Sequence, residues 1–278
     1  VAALLMLALA EPLGQYVDAV AELPVLATML ARTMPLLETA PTVVGGTQTA
    51  QGGGKAVESL RVEGITARYP EAPHPVFEGI SGGTRRGSWW SVSGPSGSGK
   101  STLLAVLLGF LKPEAGSYTL NGAPATAEAL GQIAWCPQEA YLFNSTLRSN
   151  LALARPAADA PDDAELEKVL ETVGLGPWYG GLPLGLDTRV GPGGHHLSGG
   201  QRTRVSVART LVAEAGVVLL DEPTAHLGSD EAAELVADLR GALAKSAVVL
   251  VTHDDALAEE GDRHLVLGGG MVRERAGV

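Results

Sequence analysis

The stretch Gly94-Pro95-Ser96-Gly97-Ser98-Gly99-Lys100-Ser101-Thr102 carries every fixed position of the phosphate-loop pattern G-x-x-x-x-G-K-[ST]. A loop of this kind must leave a strand and open a helix. Trp89-Trp90-Ser91-Val92-Ser93 before it reads as the strand, and Leu103-Leu104-Ala105-Val106-Leu107-Leu108 after it as the helix. The glycines let the backbone curl so that successive N–H groups point inward, and the helix adds the positive end of its dipole. Such a loop can hold a triphosphate. Lys100 would reach its β- and γ-phosphates, and the Ser101 hydroxyl would complete a Mg²⁺ shell built mainly from phosphate and water oxygens. A plain glycine-rich turn would account for the loop but not for both flanks.

The 278 residues suffice for one large domain, or a domain with an appendage. With 20 basic against 31 acidic residues the formal net charge is -11, which argues against nonspecific binding of nucleic acid. Cys136 is the only cysteine, so no intrachain disulfide can form and a reducing, cytoplasmic setting for the bulk of the chain is the simpler reading. Residues 1–10 are all apolar until Glu11-Pro12 interrupts them. That run is too short to span a bilayer and lacks the basic start and cleavage site of a signal peptide. A buried amphipathic helix and the end of a transmembrane helix both fit.

Further on, Val17, Val20, Leu23, Leu26, Met29, Leu30 and Leu37 recur at roughly helical spacing, with Pro24 and Pro35 as breaks. Gly45-Gly46 and Gly52-Gly53-Gly54 then mark a flexible linker and a domain boundary. Ser59-Leu60-Arg61-Val62 and Ile65-Thr66-Ala67-Arg68-Tyr69 read as two short strands closed by Pro70. Gly116 to Leu120 is a strand running into an Asn121-Gly122 turn, and Ile133 to Cys136 another that ends at Pro137-Gln138. Acidic residues from Asp162 open a helix through Leu170. A helix through Val205, Val207, Ala208 and Leu211 follows Leu197-Ser198-Gly199-Gly200-Gln201, and then comes the apolar strand Val217 to Leu220. Ser229 or Asp230 would cap a helix from Glu231 to Leu243, and residues 247–251 form a strand apolar enough to be buried on both faces. The alternation predicts a mainly parallel sheet covered by helices, with nucleotide chemistry at the carboxyl ends of its strands. Trp89 and Trp90 should place one ring on each side of that sheet. His195-His196 has no carboxylate or cysteine nearby and is assigned no metal.

Asp221-Glu222 puts two carboxylates at the end of a buried strand. An acidic turn after a core strand would look the same, but pairing with the phosphate loop favours chemistry. Asp221 suits holding Mg²⁺, and Glu222 suits polarising the water that attacks the γ-phosphate.

At this point the chain resembles the ATP-binding-cassette (ABC) ATPases. Leu197-Ser198-Gly199-Gly200-Gln201 is identical to their signature and lies between the phosphate loop and Asp221-Glu222, in the family's order. Gln138 matches the family's glutamine loop, His253 its switch histidine, and Tyr69 the aromatic residue that stacks on adenine. The resemblance covers about Ser59 to Val272. It implies an α/β P-loop NTPase core with a β-rich module at its start, and an inserted helical subdomain over about 138–200, all within a nucleotide-binding domain at 58–278. By the same resemblance two such domains sandwich two ATP molecules. Ser198, Gly199, Gly200 and Gln201 of one domain then complete the partner's site, so a monomer should hydrolyse ATP poorly. His253 would contact the γ-phosphate, and Gln138 would sense Mg²⁺ together with Ser101 and Asp221.

Segments Pro137 to Asn150 and Leu182 to Gly191 are similar to the exporters of the family, whose membrane and ATPase domains are fused in that order. On this resemblance residues 1–40 are the tail of the last helix of a truncated transmembrane domain and 41–57 the linker. The implied partners are the missing membrane domain and a second half-transporter, with a heterodimer favoured. The implied location is the bacterial plasma membrane, with the ATPase domain on the cytoplasmic side. Ala134 to Ala140, Asp221 to Leu227 and Leu9 to Leu13 are similar to actinobacterial CydC/CydD-type half-transporters, associated with export of cysteine or glutathione and with cytochrome bd assembly. Export of a lipid, peptide or drug, or a soluble cassette ATPase acting on nucleic acid or ribosomes, are the alternatives. The sequence departs from the exporter pattern at Pro192 and Gly228, where acidic residues are usual. The first loses a polar contact to the membrane domain and the second a carboxylate at the dimer interface.

Overall fold

The computed structural model describes residues 56–275, with the exception of Ala140, Gly193, His195, His226, Glu259, Glu260, Gly269 and Gly270. The expected membrane-helix tail over 1–40, and all but the last two residues of the expected linker over 41–57, fall outside these. Among the described residues no helix is long and apolar enough to cross a membrane.

The described residues open on an antiparallel sheet of four strands, in the order β2-β1-β4-β5. These are β1 (Ser59–Ala67), β2 (Phe77–Arg85), β4 (Ala115–Leu120) and β5 (Ala123–Pro124). The two short strands expected near residue 60 are one strand. Gly64, at φ 58°, kinks it without ending it, and the pairing register shifts between Val62 and Ile65. Tyr69 lies beyond its end. The Asn121-Gly122 turn forms as expected, with φ of 51° and 77°.

The second sheet has six strands in the order β12-β11-β3-β10-β9-β6. They are β3 (Trp89–Ser93), β6 (Ile133–Cys136), β9 (Val217–Asp221), β10 (Ala247–Thr252), β11 (Arg263–Gly268) and β12 (Met271–Arg275). All neighbours are parallel except β11 with β12, which bears out the parallel sheet. Among the described residues seven α-helices accompany the sheets: α1 (Lys100–Leu107), α2 (Ala127–Leu130), α3 (Leu147–Ala152), α4 (Asp163–Thr172), α5 (Gly176–Gly180), α6 (Gly199–Val212) and α7 (Ser229–Ala242). A small ribbon of β7 (Ser145–Thr146) and β8 (Arg189–Val190) ties the segment carrying α3 to the one ahead of α6.

Burial on both faces explains the apolar runs in the central strands. Val218, Leu220, Val248 and Leu250 join a core with α3, α4, α6 and α7, while Val217, Leu219, Val249 and Val251 join a second core with α1 and the antiparallel sheet. Trp89 belongs to the first core and Trp90 to the second, as their adjacency on a strand requires. Asp162 caps α4 by accepting from Glu165 N–H. One expected cap is corrected: α7 starts at Ser229 with Gly228 in the capping position and no side-chain cap. Asp230 and Glu231 sit in its first turn, where their charge favours the helix dipole instead.

Candidate active site

The strand order brings the ends of β3, β9, β10 and β6 side by side, so four loops far apart in sequence open onto one edge. The phosphate loop leaves β3 and closes into α1. Gly94 has φ 148°, and a Cβ there would lie 2.1 Å from the Leu267 carbonyl oxygen, so only glycine can begin the loop. Gly99 precedes α1 in the left-handed region, with no side chain capping the helix, and leaves its first N–H groups for an anion. Lys100 is 8% exposed and folds back over the loop, where its Nζ donates to the carbonyls of Gly94 at 2.7 Å and Pro95 at 3.1 Å.

Glu222 follows β9 at φ 48°, a left-handed conformation that costs a non-glycine residue about 1–2 kcal/mol. Its N–H donates to the Val251 carbonyl at 2.8 Å, which fastens the turn to β10. Backbone strain of this kind gathers where a side chain must be aimed. The Glu222 carboxylate is met from three sides. Gln138 Nε2 donates to Oε2 at 3.0 Å, His253 Nδ1 lies 3.5 Å from Oε2, and Lys100 Nζ lies 3.9 Å from Oε1. Asp221, one residue earlier, has its carboxyl pushed up to about 6, first by burial and then by the neighbouring Glu222, with Lys100 pulling the other way. A cation beside Asp221 would offset both.

Ser96, Gly97, Gly99, Lys100, Ser101, Thr102, Gln138, Glu222 and His253 line a cleft of about 500 Å³, together with Val76. Gly97 at φ 79° keeps the curl open, and Ser98 Oγ is buried with no hydrogen-bond partner among the described residues. A loop with unclaimed donors and no Cβ at its turns fits a phosphate chain. Among the described residues no three His, Cys, Asp or Glu side chains gather into a metal cluster. A magnesium ion here would therefore take most of its oxygens from phosphate and water.

Tyr69 stands beside this cleft, 45% exposed, with its hydroxyl 3.5 Å from Thr102 Oγ1. The signature residues do not line it. Ser198 is exposed at the N-terminus of α6, where its side chain accepts from Gln201 N–H while Gln201 Oε1 accepts from Ser198 N–H. Two cleft features were missed in the sequence. Val76 gave no signal beyond being apolar before a strand, and the contact of Gln138 with Glu222 joins residues 84 apart in the chain.

Fold and site together define a P-loop nucleotide-binding domain. Residues 77–225, more than half of the chain, match the family described as ABC transporter. The chain belongs to the ABC transporter family, and its described part is the family's ATPase domain. It is 34% identical over 232 residues to an ATP-dependent lipid A-core flippase of Burkholderia orbicola (strain AU 1054), covering 81% of this chain and 38% of the relative. It is 35% identical over 240 residues to the mycobactin import ATP-binding/permease protein IrtB of Mycobacterium tuberculosis (strain ATCC 25618 / H37Rv), covering 85% and 41%. Among solved structures, that of a bacterial Atm1-family ABC exporter with ATP bound superposes with a TM-score of 0.73 at 28% identity, covering 87% of this chain and 42% of the other. The chain thus spans about two fifths of the length of the relatives it matches.

Proposed function

We propose that this chain is the ATP-binding and hydrolysing part of an exporter-type half-transporter, with closure of two nucleotide-binding domains upon ATP driving transport. The observation that carries this is the convergence of Lys100, Gln138 and His253 on Glu222 within one cleft. Residues 94–102 hold the phosphates, Lys100 neutralises the β- and γ-oxygens, and Tyr69 offers a ring to the adenine. Ser101, Gln138 and Asp221 would hold the magnesium ion, which would supply charge neutralisation. Glu222 polarises the attacking water, and His253 keeps that water and the γ-phosphate in line.

The exposed Ser198 and the glycine N–H groups that open α6 suit the site of a second chain. Hydrolysis then needs two domains, and Gly228, lacking the usual carboxylate, suits an asymmetric pair. The membrane location rests on the relatives' names, with the described domain on the cytoplasmic side, residues 1–40 as the end of a transmembrane domain, 41–57 as linker and the helical subdomain at about 138–200. The acidic chain argues against nucleic acid as partner. The narrower CydC/CydD reading, with export of cysteine or glutathione for cytochrome bd assembly, rests on three short segments, and neither relative above is of that type. The flippase and the importer carry different cargo names, so the cargo class stays at the level of the family.

Substituting Glu222→Gln tests the assignment. The variant retains ATP and loses most hydrolysis, on the order of a hundredfold or more for removal of a general base. Unchanged turnover in the intact protein would remove Glu222 from its role.

A further inference from the structure

His253 presents a problem of aim. Its side chain is 64% exposed, so packing does not fix it, yet its ring has to meet Glu222 from the end of a different strand. What holds it is its backbone. Thr252, the last residue of β10, is 1% exposed and pairs in register with Ser93, the residue before the phosphate loop. The Thr252 hydroxyl oxygen accepts from Asp254 N–H at 3.0 Å, closing a tight turn around His253. Asp254 extends the turn: its Oδ1 accepts from Ala256 N–H at 3.0 Å and its carbonyl accepts from Leu257 N–H at 3.3 Å, starting the 3-10 turn Asp255–Leu257. His253 thus sits at the centre of a turn stapled by the hydroxyl of a buried neighbour, and that neighbour is anchored across the sheet to the strand that delivers the phosphate loop.

We infer that Thr252 is a positioning residue for hydrolysis: its hydroxyl, through the turn over residues 252–254, sets the direction in which His253 faces Glu222 and the γ-phosphate. The inference rests on the assignment of His253 to the hydrolytic site. Thr252 itself is not among the residues that line the cleft. A β-branched residue without the hydroxyl keeps the strand packing and loses only the staple.

Steady-state hydrolysis by the intact full-length protein tests this. Thr252→Val lowers kcat about tenfold and leaves KM for ATP within about twofold, because aim is lost and nucleotide binding is not. Thr252→Ser, which keeps the hydroxyl, restores kcat to within about twofold of the parent, and Thr252→Val adds nothing on a His253→Ala background, since both act through one ring. A Thr252→Val enzyme with parental kcat, a failure of Thr252→Ser to restore it, or a further loss on the His253→Ala background would each overturn the inference. If His253→Ala leaves turnover intact, the assignment of His253 falls first and this inference falls with it.

Discussion

Gln138 Nε2 donates to Glu222 Oε2 across 3.0 Å, joining the loop after edge strand β6 to the end of β9. On the roles proposed above, the contact puts the amide that would hold magnesium on the carboxylate that would polarise water. If Gln138 turned to a bound magnesium ion, this contact would open and release Glu222, which would make the pair a point where binding meets chemistry.

Replacing the amide by a carboxylate turns that contact into a like-charge one. In Gln138→Glu two carboxyls share the position, and at about 3 Å they cannot both ionise at their ordinary values, so one titrates higher. The acid limb of the hydrolysis-against-pH profile moves toward neutrality by about one pH unit or more. The pH dependence of kcat/KM for ATP, which reports the nucleotide-free enzyme in which the two groups meet, checks it, and an acid limb in its original place would contradict the geometry.

The magnesium role proposed for Asp221 would come at the expense of stability. Its carboxyl titrates at about 6 in the fold against 3.8 as the ordinary value. Between those values the folded chain holds a proton that the unfolded chain has released. Its unfavourable contribution is therefore full above about 6, shrinks as pH falls through that value and is gone below 3.8. Asp221→Asn should raise the Tm of the nucleotide-free protein by about 2–4 °C near pH 7.5, with a smaller gain near pH 5, while abolishing magnesium-dependent hydrolysis. Calorimetry at the two pH values decides, and a lower Tm in the variant near pH 7.5 would refute the argument.

Asp262 has the opposite balance. Its side chain is 4% exposed, and Arg240 donates to both its oxygens at 3.0 and 2.6 Å while Ser91 Oγ donates at 3.0 Å. The same guanidinium lies 4.4 Å from the centre of the Trp89 ring, so the pair locks α7 onto β3. Asp262→Ala leaves a cation in the core edge without its carboxylate and should cost roughly 3–5 kcal/mol. Urea unfolding measures it, and a cost below about 1 kcal/mol would show the pair to be no more than a surface ion pair.

What could be read along the chain is what the backbone decides over a few residues. The curl at residues 94–99, the Asn121-Gly122 turn, the Asp162 cap and the helix opened by Ser198 all follow from steric freedom and side-chain-to-backbone bonds within three or four positions. The apolar runs of β9 and β10 likewise announced burial on both faces. The same local reading faltered where two short-range signals competed. Residues 59–62 and 65–69 read as two strands but are joined by pairing on both sides, and Ser229 looked like a cap while Gly228 took the position.

Only the tertiary structure decided which groups meet. The amide at position 138, the carboxylate at 222 and the imidazole at 253 come together because β6, β9, β10 and β3 lie next to one another in an order that differs from their order in the chain. Strand order follows from packing two cores against opposite faces of one sheet, an energy shared among dozens of buried side chains rather than held in any motif. For the same reason the burial that raises Asp221 has no counterpart in residue spacing: it depends on what the neighbouring strands place around it.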